Sequence, residues 1–303
     1  MSRKGEKMFN IQTQYSILNT QSFGALYVVC TPIGNLEDMT LRSIRTLKEA
    51  DFILCEDKRV TQKLLNRYEI KTKLISFHRH NERDEVKNII SSLKTGKNIA
   101  LVSDAGSPLI SDPGCDLISA AYKNGIKVIS IPGASALISA LSICPIKFTE
   151  FTFLGFLPDK ASKRNDLISS LGKNYSVVIL YIAPHDLKKY IKEIYDQYPT
   201  INIFHTRELT KIYEESWYGK IKDFLGLIEK RELKGEMVLV LDFQEIKSNK
   251  TRKSDNEIIG EMKNYISKGA SLKEVSKLCA KEYDLSKKDL YNMYIKKPKG
   301  EIN

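Results

Sequence analysis

In this sequence, charged or very small residues recur directly after short apolar runs, and those junctions are where chemistry is to be sought. Glu56-Asp57-Lys58-Arg59 follows Phe52–Cys55, His78-Arg79-His80-Asn81-Glu82 follows Leu74–Phe77, and Ser103-Asp104-Ala105-Gly106 follows Ile99–Val102. Two further junctions, Thr31-Pro32-Ile33-Gly34-Asn35 and Pro132-Gly133-Ala134-Ser135, carry few side chains. Glu56, Asp57 and Glu82 are candidate general bases, and Lys58 or Arg59 suits a phosphate. The small-residue junctions offer main chain to a ligand, with Asp104 beside them to face a cation. One such turn is ordinary loop chemistry; several on one sheet edge make a cleft.

Other chemistries lose their signals. There is no G-x-G-x-x-G, no G-x-x-x-x-G-K-[ST] and no G-x-S-x-G. The five cysteines are far apart and lack a C-x-x-C pair, and with four scattered histidines nothing has metal-ligand spacing. The cysteines therefore read as reduced residues of a cytoplasmic protein.

The elements that must position these residues alternate between strand and helix. Apolar runs at Leu26–Cys30, Phe52–Cys55, Leu74–Phe77, Ile99–Val102 and Val128–Ile131 read as buried strands. Helical stretches separate them, one capped by Thr40 and running to about Ala50, another to about Leu93. This is the pattern of a doubly wound parallel sheet, whose ligands sit beyond the carboxyl ends of its strands. From Phe151 the pattern changes: Phe151–Leu157, Val177–Ala183, Ile203–Thr210 and Gly235–Phe243 are extended, Lys160–Leu171 is a basic helix, and Trp217 and Gly219 mark a turn. These form a second α/β domain with a mixed sheet.

After a polar linker, Ser254/Glu257, Ser271/Glu274 and Ser286/Asp289 announce three helices by capping boxes. Ile258, Ile259, Met262, Tyr265 and Ile266 form one apolar face, Leu272, Val275, Leu278 and Cys279 the next, and Gly269 fits a helix end. The expected organisation is an extension at 1–23, α/β domains at 24–148 and 149–246, and a helix-turn-helix-like module at 254–298. At 303 residues, with 48 Lys and Arg against 37 Asp and Glu, the chain carries a formal charge of +11, which favours an anionic partner such as RNA. No apolar run reaches membrane-spanning length, and the first residues lack a signal peptide's apolar core.

Eight segments carry a resemblance: TPIGN at 31–35, CEDKR at 55–59, FHRHNE at 77–82, LVSDAGSPLISDPG at 101–114, IPGASA at 131–136, FLGFLP at 153–158, RELTKIYEE at 207–215 and KGEMVLV at 234–240. In this order they resemble the tetrapyrrole-methylase superfamily and, within it, the branch acting on small-subunit ribosomal RNA. The resemblance implies two α/β domains with S-adenosylmethionine in the cleft between them, and a homodimer. It implies methylation of the 2′-hydroxyl of a cytidine in the decoding region of 16S rRNA, on the assembled small subunit. By motif, Pro32, Gly34, Asn35, Asp104, Ala105, Gly106, Pro132, Gly133, Ala134, Ser135, Ile182, Ala183, Pro184, Gly235, Glu236 and Met237 would hold the cofactor. Lys58, His78, Asn81, Arg207 and Glu208 would meet the substrate, and Glu56, Asp57, Arg59 and Glu82 are the catalytic candidates.

Two motifs depart from the family pattern. Its E-D-T-R reads Glu56-Asp57-Lys58-Arg59, and its Y-E-x-x-H-R reads Tyr181-Ile182-Ala183-Pro184-His185-Asp186, without the acid and the arginine. Other readings are a methylase of a tetrapyrrole or protein side chain and a non-catalytic ribosome-assembly factor.

Overall fold

The computed structural model describes residues 23–79, 81–246, 255–283 and 285–296. The chain divides into two compact units, 1–135 and 136–303.

The first unit is built on a five-stranded sheet ordered β3-β2-β4-β1-β5, all parallel. Its strands are β1 (Ala25–Val29), β2 (Phe52–Cys55), β3 (Lys73–Ser76), β4 (Ile99–Leu101) and β5 (Lys127–Ile131). Alternate side chains of one strand enter different cores, as a sheet covered on both faces requires. Phe52, Leu54, Ile99 and Leu101 pack with Ile89 and Leu93 of α3 (Glu82–Lys94) and Leu117 of α4 (Cys115–Lys123). Ile53, Cys55, Ala100 and Val102 pack with Leu47 of α1 (Leu41–Glu49) and Leu65 of α2 (Lys58–Arg67). Thr40 caps α1 as expected, its hydroxyl accepting the Ser43 N–H at 3.0 Å.

The second unit carries a mixed sheet ordered β6-β7-β10-β8-β9. Its strands are β6 (Thr152–Phe156), β7 (Val177–Ile182), β8 (Asn202–Arg207), β9 (Glu215–Lys220) and β10 (Met237–Asp242). Only β6 and β7 run parallel. The helices are α5 (Ala136–Ser142), α6 (Ala161–Asn174), α7 (Leu187–Gln197) and α8 (Ile221–Lys230). Ile168, Ile191, Phe224 and Ile228 from α6, α7 and α8 pack on one sheet face against Leu180, Ile203 and Leu239. Arg164 of α6 is wholly buried: it forks onto Glu193 of α7 at 2.6 and 2.9 Å and donates to the carbonyls of Pro158 and Asp159.

Trp217 and Gly219 are a correction: they lie inside strand β9, paired with His205 and Ile203, and mark no turn. The indole of Trp217 lies over Gly219, where a Cβ would come within 2.9 Å of its ring, and packs on Phe224 at 4.9 Å. The glycine is there to admit the ring on an edge strand.

The last helices are α9 (Asp255–Ser267), α10 (Leu272–Glu282) and α11 (Lys287–Lys296), with Ile258, Met262, Val275, Cys279 and Leu290 as their core. Ser271 and Glu274 form the full capping box on α10. Ser286 accepts the Asp289 N–H at 3.1 Å, and Gly269 (φ 95°) ends α9. Ser254 lies outside the described residues. Tyr265 (41% exposed) and Leu278 (53%) depart from the expected apolar faces, because each falls on the rim of its helix's stripe.

Candidate functional site

Because all five strands of the first sheet are parallel, their carboxyl ends lie on one edge. The strand order sets His78 and Arg79, Asn81 and Glu82, Glu56–Arg59, Asp104–Gly106, Pro32–Asn35 and Pro132–Ser135 along it. Thr31 and Gly106 exchange backbone hydrogen bonds at 2.9 and 3.1 Å, so the first and fourth strand ends are bridged. Gly106 has φ 78°, and a Cβ there would press on Ile33 at 3.2 Å. Gly133 packs so closely on Cys30 that a Cβ would lie 2.8 Å from the Cys30 Cβ. Asp104, Ala105, Pro132, Gly133, Gly34 and Asn35 are exposed, and Ala134 and Ser135 half-buried. The Asn35 side chain accepts the Glu37 N–H at 3.0 Å, starting a 3-10 turn over Leu36–Asp38. The result is a shelf of exposed main chain, suited to a ligand read through backbone donors and acceptors.

Beside it, Glu56, Asp57, Lys58, Arg59, Ser76, His78 and Asp104 line an open hollow of about 570 Å³. Asp57 caps α2 by accepting the Arg59 N–H at 2.8 Å and receives the Arg59 guanidinium at 2.7 Å. The hydrogen bonds from Arg59 lower its carboxyl to about 2, so it stays ionised and is a weak base. The Asp57 N–H in turn donates to Asp104 Oδ1 at 3.1 Å, joining the second strand end to the fourth. Asn81 shapes the turn before α3: its Oδ1 accepts the His78 N–H at 2.8 Å and its amide donates to the Ser76 carbonyl at 3.0 Å. Glu82 Oε1 accepts the Gly114 and Asp116 N–H groups, each at 3.1 Å, and so braces the start of α4.

Sequence reasoning passes over Asp112, whose Ser-Asp-Pro-Gly setting reads as turn chemistry alone. It is half-buried beside Glu56, Ser103, Asp104 and Arg79. Burial, then the Glu56 charge, pushes its carboxyl up to about 6, against the lowering effect of the Ser103 hydroxyl. The flanking backbone is unusual, with Leu109 at φ 74° and Ser111 at φ 75°. The only signal in the sequence is an acid inside the second of two small-residue turns after a buried strand.

In the second unit, register does the assembling. Met237 pairs with Ile182 on one side and Arg207 on the other, so the end of β7, the start of β10 and the end of β8 coincide. This sets Ile182–Pro184, Gly235–Met237 and Arg207–Glu208 together. Arg207 Nε donates to Glu215 at 2.8 Å, and Arg231 binds the same carboxylate. Glu208 Oε1 accepts the Glu236 N–H at 3.0 Å and the Lys211 ammonium at 2.9 Å. Burial pushes the Glu208 carboxyl up, but Lys211 and the Glu236 N–H together hold it below its ordinary value. His185, in the divergent turn, is exposed and lies 3.3 Å from Asp186.

A family model for tetrapyrrole (corrin/porphyrin) methylases matches residues 25–225. The chain belongs to this family. Among tetrapyrrole methylases it is similar to the ribosomal RNA small subunit methyltransferase I of Halalkalibacterium halodurans, with 39% identity over 94% of this chain and 99% of that protein. It is 40% identical to the protein of the same name in Bacillus subtilis, over 94% and 98% of the two chains. The fold is shared with the crystal structure of uroporphyrin-III-C-methyltransferase from Thermus thermophilus, at TM-score 0.51, 19% identity, and 74% and 96% coverage. A second structure of that methyltransferase, at TM-score 0.52 and 15% identity, holds S-adenyl homocysteine; it covers 72% of this chain and 97% of that one.

Proposed function

We propose that this chain, a cytoplasmic homodimer, methylates the 2′-hydroxyl of a cytidine in the decoding region of 16S rRNA on the assembled small subunit. The observation that carries the reading is identity of 39–40% to small-subunit rRNA methyltransferases over nearly their whole length. The methyl donor is S-adenosylmethionine, and the exposed main chain at Asp104–Ala105 and Pro132–Gly133 fits such a ligand. Pro32, Gly34, Asn35, Asp104–Gly106 and Pro132–Ser135 in the first unit would hold it.

Bound, the cofactor supplies an electrophilic methyl group on a sulfonium, so this chain's task is alignment and proton removal. Asp57 is occupied by Arg59 and Glu82 by two backbone amides, so the 2′-hydroxyl proton falls to the Glu56 carboxylate and its neighbour Asp112. Lys58 and Arg59, exposed at the rim of the hollow, take phosphate, and His78 and Asn81 shape the same rim.

The test is transfer of labelled methyl from S-adenosylmethionine to small subunits from cells lacking their own enzyme, with naked 16S rRNA and Asp104→Ala protein alongside. Label at one cytidine ribose on subunits, lost with Asp104→Ala, is the expected result. No label on subunits, with label on a tetrapyrrole or a protein acceptor, overturns the reading.

A further inference from the structure

The loop between β8 and β9, residues 208–214, is held more firmly than a connection needs. Glu208 (φ 51°) and Thr210 (φ 67°) both lie in the left-handed region without being glycine. The Glu208 N–H donates to the Glu236 carbonyl at 2.9 Å, the Lys211 N–H to the Glu208 carbonyl at 3.0 Å, and the Glu214 N–H to the Lys211 carbonyl at 3.1 Å. The Glu214 carboxylate accepts the Thr210 N–H, and the Lys211 ammonium bridges Glu208 and Glu236 at 2.9 and 3.2 Å. Leu209 is buried beneath. Out of this clamp project Ile212, 95% exposed, and Tyr213, 74% exposed, the first being the most exposed large apolar side chain among the described residues. The loop's own bonds and left-handed residues thus fix Ile212 and Tyr213 in water.

We propose that this loop is a stacking platform on which Tyr213, flanked by Ile212, receives the base of an unpaired nucleotide of the RNA substrate. The inference rests on the rRNA reading above and adds a residue that holds the base. Single-stranded RNA is recognised by aromatic rings that stack splayed-out bases. The cations around the loop are already paired, Lys211 with Glu208 and Glu236, Arg207 and Arg231 with Glu215. What the tip itself offers is an aromatic ring and an aliphatic side chain, which meet the face of a base rather than a phosphate. Two exposed side chains on a loop tip offer far less than the about 800 Å² that a stable protein interface needs from each partner. Through Lys211 and Glu208 the loop is fixed to Glu236, itself one of the residues assigned above by motif to the cofactor. A clamped loop also loses little conformational freedom when the base docks.

The experiment uses the full chain with unmethylated small subunits. Tyr213→Ala is expected to raise KM for subunits about tenfold or more, the range measured for losing one base–aromatic stack. S-adenosylmethionine affinity and the slope of subunit binding against salt stay as in the wild type, because no cofactor or phosphate contact is removed. Tyr213→Phe and Tyr213→Trp restore KM, and Ile212→Ala raises it less. An unchanged KM in Tyr213→Ala, beside a wild type that methylates subunits, overturns the platform. So does a Tyr213→Ala protein that sediments as a monomer where the wild type is a dimer, which would assign the tip to a second copy. A wild type that transfers no methyl to subunits overturns the rRNA reading itself, and the platform with it.

Discussion

Glu208 and Gly235 share one piece of space: the Glu208 carboxylate lies where a side chain on residue 235 would begin. Gly235 also sits at φ 93°, so both its backbone and its surroundings exclude other residues. Gly235→Ala should cost about 2–4 kcal/mol, from left-handed strain plus displacement of the carboxylate that accepts the Glu236 N–H. In a Glu208→Ala background the same change should cost only the strain, about 1 kcal/mol. Urea unfolding of the two single variants and the double variant checks this, and simple additivity would contradict a shared space.

Asp112 makes the first unit less stable as pH rises. Its carboxyl titrates at about 6 in the fold and at 3.8 ordinarily, mainly because it is buried. Between those values the folded chain binds more protons than the unfolded one, so stability falls through that window and the deficit is full above pH 6. Asp112→Asn should raise stability above pH 6 by about 1 kcal/mol, after discounting for solvent at a half-exposed group. Near pH 4 and below the gain should vanish. Urea midpoints at pH 4, 6 and 8 decide it; an equal gain at every pH would remove charge as the cause.

His205 works in the opposite sense. It is buried in β8 against the ring of Phe224 at 4.8 Å, and burial lowers its pKa from 6.5 to about 4, with Arg207 adding and Glu215 opposing. The unfolded chain takes up this proton first, so stability falls as pH drops through the interval from 6.5 to 4. The shift corresponds to about 3 kcal/mol at its full extent. His205→Gln cannot take up the proton and should flatten the acid limb between pH 6.5 and 4, although it loses the ring contact and starts less stable at pH 8. An acid limb of unchanged steepness would assign it to other groups.

The strands that position the first site were legible because they are buried on both faces. Phe52–Cys55 is a continuous apolar run with no competing period, and the charged residues after it could only lie at a sheet edge. Edge strand β9 was not legible: its burial alternates and its Gly219 imitates a turn, since the indole that needs the glycine is recognisable only once the strand is paired. Arg164 reads as one cation of a basic helix, yet Glu193, 29 residues on, draws it inside. The roles of the edge acids were hidden for the same reason. Glu82 reaches amides 32 and 34 residues away, and Asp112 owes its shift first to burial and then to the charge of Glu56, neither of which local spacing encodes.

Those long-range partners separate two carboxylates that look alike in the sequence. Glu82 Oε1 serves the N–H groups of Gly114 and Asp116 at the start of α4, where a negative charge also favours the helix's first turn. Glu82→Gln keeps an acceptor oxygen but loses the charge, and should destabilise the protein by about 1 kcal/mol, with faster amide exchange at Gly114 and Asp116. With the proton assigned to Glu56 as proposed above, the pH dependence of methyl transfer in Glu82→Gln should keep its wild-type midpoint. Glu56→Gln should instead lower kcat about 100-fold or more, the scale of a lost general base, at nearly unchanged stability. The reverse pattern, with kcat collapsing in Glu82→Gln while amide exchange stays slow, would make Glu82 the base and Glu56 a rim charge.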